Sequence, residues 1–158
     1  MTRFFLVICT VLLLANCNQV KPSPESFTGP VANINDTNRK ISAIKMNFYE
    51  VTEIDGRNIY SSSACTSEGG QHEQVGLSVC SLRHPTPAGK QVLHIRAVNY
   101  ATVPFFTLFN NIYKVEGDVV VTLEAGKEYF VKGEISKGYT AVWVEDSKGS
   151  LVSRKIEK

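Results

Sequence analysis

From Ile41 onward, apolar residues recur at alternate positions, and glycine-bearing turns cut the chain into short runs. A period of two belongs to a half-buried strand, because successive side chains on an extended backbone point to opposite faces. Ile44, Met46 and Phe48 alternate with Lys45, Asn47 and Tyr49; Leu93, Ile95 and Ala97 alternate with His94 and Arg96. Asp55-Gly56 is a hairpin turn signal, with 57–60 expected to return antiparallel. Further runs at 77–82, 119–123, 129–135, 139–145 and 150–156 are separated by turns such as Ala88-Gly89-Lys90, Glu116-Gly117-Asp118 and Ser136-Lys137-Gly138. His84-Pro85-Thr86-Pro87 is expected to end the run before it, since proline gives a ladder no N–H. Residues 61–76 are rich in Ser and Gly and read as a long loop. No segment after Ile41 carries a sustained helical stripe. The pattern predicts an all-β fold, a single antiparallel β-sandwich over residues 41–158, with a small closed β-barrel as the rival. Its expected core includes Ile44, Met46, Phe48, Leu93, Ile95, Val142 and Val144.

A chain of 158 residues has the size of one domain. Its 43% hydrophobic and 20% charged content can build a core, which excludes a disordered chain. The net charge is +2 and no basic block stands out, so nucleic acid is not an expected partner.

The first residues belong to a different class. Arg3 precedes residues 4–15, an apolar run broken only by Thr10. As a helix it would extend about 18 Å, short of a bilayer core of about 30 Å. A positive start followed by such a run is the pattern of an export signal, assigned to 1–16. Residues 18–26 are polar and contain two prolines, and 17–40 read as a flexible tether. Within it, Asn33, Asn35, Asp36, Thr37 and Asn38 favour turns, and Asn35-Asp36-Thr37 is a formal glycosylation sequon expected on a surface loop.

At the end of the signal, Leu14-Ala15-Asn16-Cys17 resembles the lipobox of bacterial lipoproteins. Leu14, Ala15 and Cys17 match; Asn16 stands where Gly, Ala or Ser is usual, which keeps an ordinary secretory cut open as the alternative. The resemblance implies a diacylglyceryl group and palmitate on Cys17, cleavage just before it, and attachment to a membrane of the cell envelope. Cysteine parity agrees. Cys9 leaves with the signal, and lipid on Cys17 leaves Cys65 and Cys80 to pair in an oxidising compartment. Leu123-Glu124-Ala125-Gly126-Lys127-Glu128-Tyr129 and Val142-Trp143-Val144-Glu145-Asp146 are similar to the closing strands of Ig-like or PEGA-like envelope domains, a likeness of fold alone.

Cys65, His72, Cys80 and His84 are all zinc-ligand types, but C-x6-H-x7-C-x3-H lacks the close cysteine pair of structural zinc sites. A Cys65–Cys80 disulfide is favoured, with no metal and no cofactor. No G-x-S-x-G, H-E-x-x-H, P-loop or G-x-G-x-x-G is present. His72 and Glu73 would face opposite sides of a strand, and Glu145-Asp146 reads as the start of a turn. Trp143 is expected as a core or half-buried anchor in preference to a sugar platform. Tyr100, Phe105, Phe106, Phe109 and Tyr113 are expected to pack in the core, with an apolar groove as the alternative. The expectation is a small lipid-anchored, non-catalytic binding or structural module of the bacterial envelope, partnered by the membrane and by another envelope protein. Behind it stand a secreted or envelope inhibitor or accessory subunit using the disulfide-pinned segment 61–76, and, third, a hydrolase.

Overall fold

The computed structural model describes residues 27–69, 79–101 and 113–158. The signal segment, Cys17, His72, Glu73, Phe105, Phe106 and Phe109 lie outside the described residues. In chain order the described elements are β1 (Val31–Asn35), β2 (Thr37–Lys40), β3 (Lys45–Ile54), β4 (Arg57–Asn58), α1 (Ser62–Gly69), β5 (Arg83–Pro87), β6 (Gly89–Ala101), β7 (Lys114–Leu123), β8 (Glu128–Ser136), β9 (Tyr139–Asp146) and β10 (Ile156–Glu157). One sheet runs β10-β9-β8-β1-β5; the other runs β2-β3-β6-β7, with β4 paired to β3. Neither sheet closes on itself, so the fold is an all-β sandwich and not a barrel. All pairings are antiparallel except β1 with β8, which is parallel.

The core is the set of inward positions that alternation creates. Ala32 and Ile34, Tyr129 and Val131, and Val142 and Val144 come from the first sheet; Leu93, Ile95, Ala97, Val115, Val119, Val121 and Leu123 come from the second. Leu93, Ile95, Val142 and Val144 are fully buried, as their alternation predicts.

Strand β3 departs from the expected register. Tyr49 and Val51 pair with Ala97 and Ile95 and belong to the core between the sheets, so Met46 and Phe48 lie on the opposite, outer face. Both are nevertheless buried, and the Phe48 ring meets Tyr100 edge to face with centroids 6.0 Å apart. Strand β3 is therefore covered on both sides, and its alternation does not say which side faces the other sheet. Ile44 precedes the strand and is only half-buried. Tyr49 takes the inward place because glycine opposes it: a Cβ on Gly133 would lie 2.4 Å from the Tyr49 ring and 2.5 Å from the Ala141 carbonyl.

Other boundaries also move. The segment 31–40 is not tether but strands β1 and β2, so the sandwich begins at Val31. The sequon does not form a surface loop, because Asp36 is buried where the chain crosses from one sheet to the other. Part of 61–76 is helix α1. Residues 79–82 are not a strand; β5 begins at Arg83 and includes both prolines. Prolines are tolerated there because β5 is an edge strand paired only to β1. Gly117 lies within β7 and does not separate strands. Residues 150–156 contribute only a Glu145–Leu151 bridge and the start of β10. The Asp55-Gly56 hairpin forms as expected: φ is 50° and 72° at the two central residues, which matches a type I′ turn.

Candidate functional site

The cysteine–histidine quartet separates into unlike parts. Cys65 in α1 and Cys80 form a disulfide with Cα atoms 5.8 Å apart, so neither sulfur is available as a thiolate ligand. His84 is not a loop residue but a buried member of β5, with Nε2 3.2 Å from Asp36 Oδ2 and out of line for a hydrogen bond. Among the described residues no group of three His, Cys, Asp or Glu side chains is arranged to hold a metal ion.

The disulfide belongs to a larger buried polar assembly around α1. This helix has eight residues and the sequence Ser-Ser-Ala-Cys-Thr-Ser-Glu-Gly, too short and too rich in serine to persist by propensity. Two buried carboxylates hold its first turn. Ser62 N–H and Oγ–H donate to Asp36 Oδ2 at 3.3 and 2.7 Å, while Ser63 N–H and Oγ–H donate to Glu50, both at 2.8 Å. These amides have no partner within a helix, and negative charge beside them complements the helix dipole. Arg96 Nε donates to Glu50 at 3.0 Å and balances its charge. Asp36 also accepts Val51 N–H at 2.9 Å, and Thr66 Oγ1 accepts Cys80 N–H at 3.0 Å. Helix, disulfide and sheet crossover are thus one interlocked unit.

Ser62, His84 and Asp36 are the residue types of a hydrolytic triad, but their order is wrong for one. The serine hydroxyl donates to the carboxylate, not to the imidazole, and it accepts Leu82 N–H at 2.9 Å. Ser62 has no exposed surface on which a substrate carbonyl could rest. Glu145 and Asp146 likewise point apart: Glu145 accepts Trp143 Nε1–H at 2.7 Å, while Asp146 Oδ1 accepts Lys148 N–H at 2.8 Å and Ser150 N–H at 2.9 Å in the turn.

Two surfaces present polar groups to solvent. On the outer face of the β2-β3-β6-β7 sheet, a cleft of about 420 Å³ is lined by Glu53, Asp55, Gly56, Val92, His94 and Asp118. Its histidine is tied up, with Nδ1 2.7 Å from Asp118 Oδ1.

The outer face of the other sheet is richer. Since Tyr129, Val131, Val142 and Val144 point inward, Phe130, Lys132, Trp143 and Glu145 point out. Trp143 is half-buried, but it is a surface residue and not part of the core. Register places Phe130 opposite Glu145 and Lys132 opposite Trp143. At the start of β8, Glu128 accepts from Asn33 at 3.1 Å and Asn35 at 2.7 Å on β1 and from Arg83 at 2.5 Å on β5. Period two was the signal that separates Trp143 from its valine neighbours. The Glu128 cluster joins residues more than ninety positions apart, and no local pattern announces it. Comparison of the chain with protein-family models, with curated proteins and with solved structures finds no match.

Proposed function

We propose that the chain is an exported module of the bacterial envelope, held to a membrane by lipid on Cys17, that binds a partner and carries out no catalysis. The observation that carries this reading is the Cys65–Cys80 disulfide. It is compatible with an oxidising compartment, and it uses the two cysteines that follow the lipobox-like segment. Cys17 is then the cysteine left over once the signal with Cys9 is removed. Among the described residues no helix is long and apolar enough to cross a membrane.

Metabolic labelling with a palmitate analogue tests the reading. Wild-type protein is expected to take up label and fractionate with membranes, and Cys17→Ser to lose the label and become soluble or remain uncut. Freely soluble, unlabelled wild-type protein would replace this reading with a plain secreted one. A second reading, an inhibitor or accessory subunit that touches its partner through 61–76, draws on the same disulfide, which fixes both flanks of the segment between its cysteines. Pull-down from envelope fractions separates the two: loss of a captured partner on substitution of exposed residues in 61–76 favours the second.

A further inference from the structure

Two open sheets have four edges, and an edge strand offers unpaired N–H and C=O groups to any further strand. Among the described residues three of these edges are blunted: β10 has two residues, β5 carries Pro85 and Pro87, and β2 has four residues ending in Arg39-Lys40. The fourth, β7, is ten residues long and pairs only with β6. Alternate residues of an antiparallel strand turn both backbone groups to the same neighbour. Asn99 N–H donates to the Tyr113 carbonyl at 3.3 Å, so the odd-numbered residues that continue this ladder, Val115 to Val121, face β6. Glu116, Asp118, Val120 and Thr122 turn their N–H and C=O away from it. Among the described residues only Arg154 reaches those groups, donating to the Asp118 carbonyl at 3.0 Å. Arg154 is exposed and a carbonyl oxygen has two lone pairs, so this bond leaves the edge open. The side chains of the same four residues are exposed, and Val120, 54% exposed, stands opposite Val92, 40% exposed.

The order of charges along β7 suits a second copy of the same strand. With two copies antiparallel about a two-fold axis at Val119, Glu116 lies opposite Thr122 of the second copy and Asp118 opposite its Val120. Lys114 then lies beside Glu124 of the second copy, and symmetry makes this contact twice. Glu124 follows the strand directly, and its exposed carboxylate has no cation among the described residues. Lys114 meets Glu116 of its own strand at 2.7 Å, an exposed pair of little worth that it can exchange for the new one. The exposed Val120 side chains of the two copies become diagonal neighbours across the axis. Sliding the copies by two residues one way sets Asp118 against Asp118; the other way sets Glu116 against Glu124. Like charges directly opposite are destabilising, so the register centred on Val119 is selected. We propose that β7 is a self-docking edge through which two copies of this chain join their β2-β3-β6-β7 sheets into one continuous sheet. The proposal goes beyond the binding-module reading and does not depend on lipid at Cys17.

Sedimentation equilibrium of the full-length protein in density-matched detergent tests this. The mass is expected to rise from one copy to two as protein concentration increases through the micromolar range. Lys114→Glu and Glu124→Lys should each weaken association about tenfold, and the two together should restore it. Val120→Pro removes an N–H that β6 does not use, so it should abolish the dimer while the β-sheet circular dichroism is kept. A single copy at every concentration, or association indifferent to both charge reversals, would overturn the proposal. Recovery in the charge-exchanged double variant requires a folded chain, so misfolding of one variant cannot imitate the expected result. Palmitate labelling reads Cys17 alone, so failure of the dimer edge and failure of the anchor are separable.

Discussion

Replacing Asp36 by alanine isolates the polar assembly that joins the two sheets to α1. In the native protein its carboxylate accepts Val51 N–H at 2.9 Å, Ser62 Oγ–H at 2.7 Å and Ser62 N–H at 3.3 Å, all in buried surroundings. The Ser62 hydroxyl can rotate to another acceptor, but the two amides are fixed by the backbone. Each buried donor left unpaired costs about 1–3 kcal/mol, so two amides together with the lost charge predict about 3–5 kcal/mol. Against a typical domain stability of about 5–15 kcal/mol, that is a large fraction of the total. Urea unfolding under non-reducing conditions, followed by Trp143 fluorescence, measures the loss directly. Asp36→Asn should cost less: its side-chain oxygen still serves Val51, while its NH2 group confronts the Ser62 amide donor to donor. A loss below about 1 kcal/mol for Asp36→Ala at unchanged m-value would show that water or rearrangement satisfies these donors, and the interlocked-unit description would fall.

The remaining predictions address other layers. Gly133→Ala should destabilise by about 1–3 kcal/mol through overpacking, since its Cβ would collide with the Tyr49 ring and the Ala141 carbonyl; Tyr49→Ala combined with it should recover part of that loss in a double-mutant cycle. Phe48→Ala and Ile95→Ala should each cost about 2–5 kcal/mol by thermal or chemical denaturation, although the two side chains fill opposite faces of one sheet. Non-reducing peptide mapping should recover Cys65 linked to Cys80, and reduction should lower stability by about 3 kcal/mol on the chain-entropy estimate for a loop of this size. The Asp146 carboxyl is held below its usual range, chiefly by the Ser150 amide and also by that of Lys148, against an opposing effect of burial. A lowered carboxylate stabilises the fold above its ordinary value and loses that contribution as pH falls through the folded value, so the protection of the Ser150 amide, measured by hydrogen exchange relative to its intrinsic rate, should persist through the ordinary carboxylate range and fall only in more acidic solution.

Much of the fold was legible because alternation reports directly on burial when one face of a strand is wet. Leu93 and Ile95 in β6 and Val142 and Val144 in β9 were placed correctly for that reason. At Met46 and Phe48 alternation reports the burial but not the side: both are buried as expected, yet on the face away from the other sheet, because both faces of β3 are covered. Strands β1 and β2 were hidden by their asparagines: Asn33 and Asn35 suit turns in isolation, yet here their amides are satisfied by Glu128 from a distant strand. Helix α1 had no local signature at all, because its first turn is stabilised by Asp36 and Glu50 from elsewhere in the chain. The disulfide followed from counting cysteines, whereas the patch around Phe130 and Trp143 depends on which strands lie side by side, information that a single sequence does not carry.

The parallel pairing of β1 with β8 sets the order in which the molecule can be completed. β1 occupies an interior place in its sheet, between β5 and β8, and Asn35 is bonded to a residue 94 positions later in the chain. Chain segments joined across such distances form late, after the entropy of the intervening loop has been overcome. A polypeptide emerging N-terminus first from a ribosome or a translocation channel therefore exposes β1 with one neighbour missing until residues 128–136 have followed it. In that interval the β3-β6-β7 meander can assemble from nearby partners, while the other sheet waits. Any truncation that removes β8 leaves β1 beside an empty place in its sheet.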